Sequence, residues 1–164
     1  MNGILGDCCP AEAYSCANTR KPIVKMLVGL PRSGKTTYAS SYKGSWAIIS
    51  ADQLRYLVYG QRFCAAGEDL MWAIRKVALK MLLEQGLDII IDETNTTAAR
   101  RKAIIDVVRE HDYIVEAVYV DTSAEECIRR AESEGDSQII PVIKRMAGQF
   151  ESVMPEEVDS ISMV

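Results

Sequence analysis

The chain has 164 residues and a mass of 18.2 kDa, which is enough for one compact domain and too little for a second large one. Hydrophobic residues make up 48% and charged residues 26%, a composition typical of globular proteins that excludes a disordered chain. The net charge of −4 argues against a protein that coats nucleic acid through a broad basic surface. It does not exclude an enzyme that holds one strand end with a few arginines.

The sequence lacks the features that direct a protein to or through a membrane. No apolar run reaches the roughly 18 residues of a membrane span, and the first twenty residues lack the basic start and apolar stretch of a secretory signal. We therefore expect a cytoplasmic protein without membrane association, whose five cysteines are reduced thiols.

From residue 23 onward, short apolar runs alternate with stretches of helical periodicity, whereas residues 1–22 show little periodicity and are interpreted as an N-terminal extension. The domain is expected to span residues 23–164. Its predicted strands are 23–30, 46–50, 87–92, 113–120 and 160–164. Its predicted helices are 35–42, 68–85, 97–110, 123–133 and 142–150, with a short helix beginning near Asp52.

Strands that alternate with helices through short connections predict an α/β domain with a parallel five-stranded sheet covered by helices on both faces. The longest predicted helix ends at Gly86 and is expected to bury one apolar face, composed of Leu70, Ile74, Val77, Ala78, Met81 and Leu82. Ligands of such sheets bind beyond the carboxyl ends of the strands, so the chemistry is expected after Leu30, Ser50, Ile91 and Val120.

A glycine-containing motif, G-x-x-x-x-G-K-[ST], lies between the first predicted strand and the first predicted helix. Its glycines allow a tight loop whose N–H groups, with the helix N-terminus, can cradle phosphates. Lys35 is expected to reach the β- and γ-phosphates, and Thr36 to offer its hydroxyl to Mg²⁺. The motif predicts that ATP or another nucleoside triphosphate is bound by Gly29, Leu30, Pro31, Arg32, Ser33, Gly34, Lys35, Thr36 and Thr37.

A carboxylate and an arginine follow the second predicted strand. Ser50 and Gln53 fit a capping box, which would place Asp52 in the first turn of a helix with Arg55 on the same face. Asp52 could accept a hydrogen bond from an incoming hydroxyl, and Arg55 could bind an anionic substrate. The alternative is an acid favoured by the helix dipole beside a solvated arginine.

Two acids, Asp92 and Glu93, close the third predicted strand. An acid beside a phosphate loop could hold Mg²⁺ directly or through water. The two acids are also compatible with an ATPase in which Glu93 polarises a water molecule. Thr94 and Asn95, which follow, are less typical of an ATPase and better suited to binding a substrate. A polar strand end followed by a helix cap is the remaining alternative.

After the fourth predicted strand, Arg129 and Arg130 lie on a helix, and Gly135 and Pro141 then bracket a segment interpreted as a mobile lid. Arginines on a lid over the phosphates would stabilise the charge of the transferring group. A solvated helix face is the alternative.

Together these motifs resemble the phage-type polynucleotide 5′-hydroxyl kinase domain, with a similarity that covers about residues 23–164. The motifs that carry it are Gly29-x4-Gly34-Lys35-Thr36, Asp52-x2-Arg55, Glu93-Thr94-Asn95 and Cys127-x2-Arg130. The resemblance implies a three-layer P-loop kinase fold with a small helical lid, ATP and Mg²⁺ as cofactors, and a 5′-hydroxyl end of RNA or DNA as the acceptor.

The resemblance also implies roles for single residues. Lys35 and Arg130 would hold the ATP phosphates, Asp52 would be the general base, and Arg55 with Thr94 would contact the acceptor strand. Asn95 is expected to bind substrate beside them. The family acid before Thr-Asn is usually Asp, whereas here it is Glu93 preceded by Asp92. We place the metal at Thr36 and Asp92, with Glu93 as the open alternative.

Two other functions fit the same motifs. A small-metabolite kinase, or a sugar-nucleotide kinase resembling the zeta toxins, shares the phosphate loop and an acid after the second strand, and the acidic composition favours it slightly. A P-loop ATPase that acts as a switch module would use Asp92 and Glu93 to hydrolyse ATP. The pairing of Asp52 with Arg55, and of Thr94 with Asn95, favours the polynucleotide acceptor. The oligomeric state stays open.

Overall fold

A computed structural model describes residues 20–61 and 65–164; the predicted extension, apart from residues 20–22, lies outside the described residues, as does Cys64. The strands are β1 (Ile23–Val28), β2 (Ala47–Ser50), β3 (Ile89–Asp92), β4 (Ile114–Tyr119) and β5 (Ser160–Met163). The α-helices are α1 (Lys35–Ser40), α2 (Ala51–Tyr59), α3 (Glu68–Glu84), α4 (Ala98–Val108), α5 (Ala124–Ser133) and α6 (Ile140–Gly148). Short 3₁₀ helices occupy Ala65–Gly67 and Ser137–Ile139.

The five strands form one parallel sheet in the order β2-β3-β1-β4-β5, which confirms the predicted fold class. The central strand β1 pairs with β3 on one side, where Val24 is opposite Ile89, and with β4 on the other, where Ile23 is opposite Ile114. The loops that follow β1, β3 and β4 therefore meet at one edge of the sheet, where an α/β sheet binds its ligands.

Helices cover both faces of the sheet because the strands bury side chains on both sides. Along β3, Ile89 and Ile91 join the larger core under α3 and α4, while Ile90 joins a second core with Ala39 of α1. This alternation follows from strand geometry, in which successive side chains point to opposite faces. The near-continuous apolar runs of the sequence are those of strands buried on both faces.

The buried face of α3 differs from the predicted one. Leu70, Val77 and Met81 are about half exposed or more, and the fully buried side chains are Met71, Leu79 and Leu83. The helix is therefore rotated by about one residue from the expected face. Apolar residues occur around most of its circumference, so periodicity alone did not determine which stripe packs against the sheet.

The helix and strand ends mostly lie one or two residues inside the predicted ones. Helix α6 is the exception, because it begins at Ile140, before Pro141, rather than at residue 142. Proline is favoured in a first helical turn, where its missing N–H leaves no bond unmade. Gly86 has a φ of +70° just after α3, and this left-handed conformation confirms it as the residue that ends the helix.

Helices α5 and α6 form a small lid on the phosphate loop. An apolar cluster of Cys127, Ala131 and Ile143 closes around Leu30, which belongs to the loop itself. Gly135, with a φ of +70°, and the 3₁₀ helix at Ser137–Ile139 connect the two helices. The lid thus shares a core with the loop that it covers. Within residues 20–61 and 65–164, no helix is both long and apolar enough to cross a bilayer.

Candidate active site

The glycine-containing segment forms a turn between β1 and α1 whose shape excludes side chains at two points. A Cβ at Gly29 would lie 2.9 Å from Ser33 Oγ and 2.9 Å from the carbonyl oxygen of Val120. Gly34 has a φ of +113°, a conformation that residues with side chains rarely adopt. The main chain is therefore closely packed at Gly29 and tightly turned at Gly34, as a phosphate cradle requires.

Most side chains of the loop are engaged with the protein. Leu30 packs under the lid, and Arg32, at a φ of +66°, pairs with Glu134 and Asp136 at the end of α5. Contacts of Leu30 and Arg32 with a nucleotide would therefore come from their main chain. Thr37 is exposed on α1.

Lys35 is buried, and its Nζ donates to the carbonyl oxygen of Leu30 at 2.5 Å and to Ser33 Oγ at 3.2 Å. Burial lowers the pKa of Lys35 to about 8, against the charge of Asp92, which raises it. A cation held in this way at the base of the loop has lost its water shell, so phosphate oxygens would be strongly preferred partners.

Thr36 and Asp92 meet beside Lys35, with Thr36 Oγ1 donating to Asp92 Oδ2 at 2.9 Å. Burial raises the pKa of Asp92, opposed by the hydrogen bond from Thr36 and by the charge of Lys35. A hydroxyl and a carboxylate are the oxygen donors that Mg²⁺ prefers, so the pair fits the expected ion. Within the described residues, no three His, Cys, Asp or Glu side chains are grouped to hold a metal by themselves. The remaining ligands would be phosphate and water.

Glu93 is directed away from the loop. Its carboxylate pairs with Arg75 of α3 at 3.2 Å, on the face of the sheet opposite α1. Burial raises the pKa of Glu93, opposed by the charge of Arg75. Of the two acids left open by the sequence, Asp92 is therefore the one placed beside Thr36.

Arg130 reaches the phosphate loop from the lid. Its Nη1 donates to the carbonyl oxygens of Arg32 and Ser33 at 3.2 and 3.0 Å, and its Nε donates to Glu126 at 2.8 Å. Hydrogen bonds from Arg129 and Arg130 lower the pKa of Glu126 to about 2. The neighbouring Arg129 is mostly exposed and pairs with Glu126 on its own helix. Of these two arginines, Arg130 is the one that contacts the phosphate loop.

Asp52 lies in the first turn of α2, as predicted, and its side chain is 76% exposed. Its negative charge raises the pKa of both Lys35 and Asp92, so it lies within electrostatic range of the loop and of the metal pair. The predicted capping box is not formed, because the side chain of Ser50 makes no cap hydrogen bond.

Arg55 lies beside Asp52, as predicted, and is paired with two carboxylates. Its Nε and Nη2 each donate to Glu68 at 2.8 Å, and its Nη1 donates to Asp52 at 2.7 Å. The hydrogen bonds to Glu68 raise the pKa of Arg55. Two carboxylates thus already balance its charge and Arg55 orients Asp52, while its contact with the acceptor stays a prediction.

Two residues after β3, Thr94 and Asn95, were predicted to bind substrate. Thr94 remains a candidate, whereas Asn95 is buried. The carbonyl oxygen of Thr94 accepts from the N–H of Gly29 at 3.0 Å, and its side chain remains a candidate acceptor contact. Asn95 is 1% exposed, has a φ of +46°, and donates from Nδ2 to the carbonyl oxygen of Leu27 at 2.8 Å. Asn95 therefore fixes the loop after β3 instead of contacting a substrate.

Arg101 is a structural residue that the sequence analysis missed. It is fully buried, pairs with Glu157 through two hydrogen bonds, and donates to the carbonyl oxygens of Asn95, Glu151 and Ser152. It thereby ties the loop after β3 to the segment that precedes β5. An arginine within a predicted helix carries no local signal of burial, because most of its partners lie 50 or more residues away.

The fold and the site define a kinase-type P-loop domain, an arrangement that supports phosphotransfer. The family model described as "AAA domain" (AAA_33) matches residues 24–151, and the chain belongs to this family.

The chain is similar to an L-seryl-tRNA(Sec) kinase from Methanococcus maripaludis, with 23% identity over 136 residues that cover 77% of this chain and 52% of that protein. Among solved structures, it is similar to a chain of the Pnkp1/Rnl/Hen1 RNA repair complex, with a TM-score of 0.63, 18% identity, and coverage of 82% of this chain and 48% of that one. A Chloroflexus aurantiacus protein, provisionally described as a kinase, gives a TM-score of 0.70 at 12% identity, with 90% and 86% covered.

At these identities the structural likenesses show the fold alone. The chain spans about half the length of the seryl-tRNA kinase and of the RNA repair chain that it matches. These comparisons therefore do not identify the acceptor of the phosphoryl group.

Proposed function

We propose that this protein transfers the γ-phosphoryl group of ATP to the 5′-hydroxyl end of RNA or DNA. The observation that carries the proposal is the position of Asp52, an exposed carboxylate oriented by Arg55 and within electrostatic range of Lys35 and Asp92. Such a carboxylate beside a phosphate loop can receive an acceptor hydroxyl.

The donor would bind through the main chain of the loop and two cations. Lys35 exchanges its contacts with Leu30 and Ser33 for phosphate oxygens, and Arg130 lies over the loop carbonyl groups from the lid side. Both charges are fixed by the protein before ATP arrives, so little reorganisation accompanies the reaction.

Mg²⁺ would be held by Thr36 and Asp92, whose oxygen atoms are already hydrogen-bonded to each other, and it would neutralise phosphate charge. Asp92 stands at the end of a buried strand, so its carboxylate has a fixed position. The hydrogen bond from Thr36 to Asp92 holds the two side chains of the metal site together in the nucleotide-free protein.

Asp52 would orient the acceptor hydroxyl and take its proton as transfer proceeds. The bond from the acceptor oxygen to the γ-phosphorus forms while the bond from that phosphorus to the β–γ bridging oxygen breaks, and ADP leaves. The transition state of phosphoryl transfer is loose, so the hydroxyl loses its proton late. An ordinary carboxylate in the right orientation is then sufficient.

Two observations bear on the rival functions. The ATPase switch needs an acid that polarises water near the γ-phosphate, and Glu93 is instead paired with Arg75 on the other side of the sheet. For the acceptor, the names of similar proteins refer to a tRNA-bound serine and to RNA repair, but also to an APS kinase and a gluconokinase, so they do not rank the polynucleotide acceptor against a small metabolite.

The test is to offer γ-labelled ATP and Mg²⁺ to the purified chain with a 5′-hydroxyl oligonucleotide, its 5′-phosphorylated twin, a metabolite pool, or no acceptor. We expect label only on the 5′-hydroxyl oligonucleotide. Label in the metabolite pool alone would support the small-molecule kinase. Rapid release of phosphate without any acceptor, with no label transferred, would support the ATPase and contradict the proposal.

A further inference from the structure

A groove of about 510 Å³ lies between α3 and α4, on the face of the sheet opposite α1. Its floor contains the buried side chains of Leu79 and Val107, and the exposed Lys76 and Arg100 lie along its opening. The groove combines an apolar base with cations at its mouth. No residue of the phosphate loop lines it.

The groove concentrates positive charge in a chain whose net charge is −4. Arg75, Lys76 and Arg100 line it together with a single carboxylate, that of Glu93. Among the described residues, Lys76 and Arg100 have no ion-pair partner, and the buried Nε of Arg75 has no hydrogen-bond acceptor. Buried donors are rarely left unmatched, so the guanidinium of Arg75 has hydrogen-bonding capacity that the described residues do not use.

An aromatic ring stands beside these cations. The guanidinium of Arg75 lies over the Trp72 ring, 4.8 Å from its centroid, which holds the half-buried ring in one orientation. Proteins that bind single-stranded nucleic acids combine such rings, on which bases stack, with cations that follow the backbone.

The groove is connected to Asp52 by a series of charged contacts. Asp52 pairs with Arg55, and Arg55 pairs with Glu68 at the start of α3. Glu68 precedes Trp72, which lines the groove, by about one turn of α3. The groove thus starts near the carboxylate that would receive the acceptor hydroxyl.

We propose that the groove between α3 and α4 binds the body of the acceptor, a single strand of nucleic acid whose phosphodiesters contact Arg75, Lys76 and Arg100 and one of whose bases stacks on Trp72. The inference rests on the proposed function, because it takes Asp52 as the position of the 5′ end. It adds the site that would select a polynucleotide over a small alcohol.

Binding is tested without ATP, by the fluorescence anisotropy of 3′-labelled, 5′-hydroxyl octanucleotides of DNA and of RNA. We expect Trp72→Ala to weaken binding by roughly 5- to 100-fold, the usual effect of losing one base–aromatic stack. Lys76→Ala and Arg100→Ala should each lower the slope of log affinity against log salt by about 0.7.

Two matched controls come from the same helices. Lys80 on α3 is partly exposed, Lys102 on α4 is exposed, and neither lines the groove, so Lys80→Ala and Lys102→Ala should leave the affinity and the salt slope unchanged. ATP affinity should be equal in all these variants, which verifies that each is folded. If Lys76→Ala and Arg100→Ala match their controls, the inference is wrong.

Tryptophan fluorescence reports on the groove directly. The chain has two tryptophans, and Trp46→Phe leaves Trp72 as the only one. Saturating oligonucleotide should quench Trp72 emission in that background, and emission that stays constant would overturn the inference. Binding of a polyglutamate peptide with equal affinity and equal quenching would also overturn it, because the site would then be a general anion groove.

The two proposals fail separately. Phosphorylation of oligonucleotides with unchanged kinetics in Lys76→Ala, Arg100→Ala and Trp72→Ala would retain the proposed function and refute the groove. Binding with Trp72 quenching, but without label transfer to any 5′ end, would retain the groove and refute the proposed function.

Discussion

Thr36 and Asp92 are 56 positions apart in the chain, yet the Thr36 hydroxyl donates to the Asp92 carboxylate at 2.9 Å. The contact exists because β1 and β3 are neighbours in the sheet, which brings the loop after one strand to the end of the other. It distinguishes Asp92 from the adjacent Glu93, and this distinction can be tested.

We expect Asp92→Asn to raise the Mg²⁺ concentration needed for half-maximal phosphotransfer by about 10- to 100-fold, the range seen when the surroundings of a metal are altered. The amide oxygen of the introduced asparagine would still accept the hydrogen bond from Thr36, so the change removes charge and little else. Glu93→Gln is the control and should leave the Mg²⁺ requirement unchanged. A larger effect from Glu93→Gln would show that Glu93, and not Asp92, serves the metal.

Nucleotide binding is expected to depend on pH through Lys35. Burial lowers the pKa of Lys35 to about 8 from its ordinary value of 10.5, and phosphate oxygens favour the charged form. ATP binding at pH 8 should therefore take up roughly half a proton, and affinity should fall as pH rises through 8. Calorimetry in two buffers of different ionisation enthalpy measures the uptake.

Lys35→Arg controls for this effect, because a guanidinium stays charged throughout this range and should show no uptake near pH 8. The same lowered pKa predicts that the free energy of unfolding of the nucleotide-free protein rises between pH 8 and 10.5. In that window the unfolded chain still binds the proton that the folded chain has lost. In the ATP-binding experiment, equal heats in the two buffers would show that no proton is taken up and would contradict the predicted contact of Lys35 with the phosphates.

Asp52→Asn should retain ATP affinity and lower the turnover of phosphotransfer by about 10²–10⁴-fold, the usual contribution of a general base. The asparagine can still accept a hydrogen bond but cannot take the proton. Asp106→Asn changes an exposed acid on α4 that pairs with Lys102, and it should have no effect on turnover. Single-turnover measurements with saturating ATP separate the chemical step from binding. Wild-type turnover in Asp52→Asn would remove Asp52 from the mechanism.

The two arginines of α5 allow a comparison of neighbours. Arg130 contacts the loop carbonyl groups, whereas Arg129 pairs with Glu126 on its own helix. Arg130→Ala should lower turnover by about 10²–10³-fold, as the loss of one preorganised donor does, and Arg129→Ala should change it little. Similar effects of the two substitutions would show that the lid acts through its general charge and not through a directed contact.

Arg101 is expected to determine the stability of the domain. Arg101→Met leaves the Glu157 carboxylate and three carbonyl oxygens without their donor, and breaking a buried ion pair in this way costs about 3–5 kcal/mol. Chemical denaturation measures the change in the free energy of unfolding. The adjacent Lys102→Met, at an exposed position, should change it by less than about 0.5 kcal/mol. A cost below about 1 kcal/mol for Arg101→Met would contradict this role.

The two acids at the end of β3 show what the alternation of side chains along a strand can predict and what it cannot. Successive side chains of a strand point to opposite faces, so the sequence already implied that Asp92 and Glu93 face different ways. Ile90 packs with α1, and Ile89 and Ile91 pack under α3 and α4, which carries Asp92 to the side of Thr36 and Glu93 to that of Arg75. Which helix covers which face was not evident from the alternation itself.

Two residues that were predicted to bind substrate are held by protein partners that the sequence did not reveal. Arg55 and Asn95 each have a side chain that suits a substrate, and each is bound by a protein partner, Glu68 for the first and the carbonyl oxygen of Leu27 for the second. Those partners are 13 and 68 positions away. Residue type and local spacing carry no information about such a partner.

By itself, the sequence determined the α/β class, the position of the phosphate loop and the first turn of α2, because strand alternation, glycine conformation and helix starts depend on neighbouring residues. Only the tertiary structure decided which acid meets Thr36, which arginine reaches the loop, and which stripe of α3 is buried. Those choices depend on the strand order and on the packing of each helix, which bring together side chains that are distant in the chain.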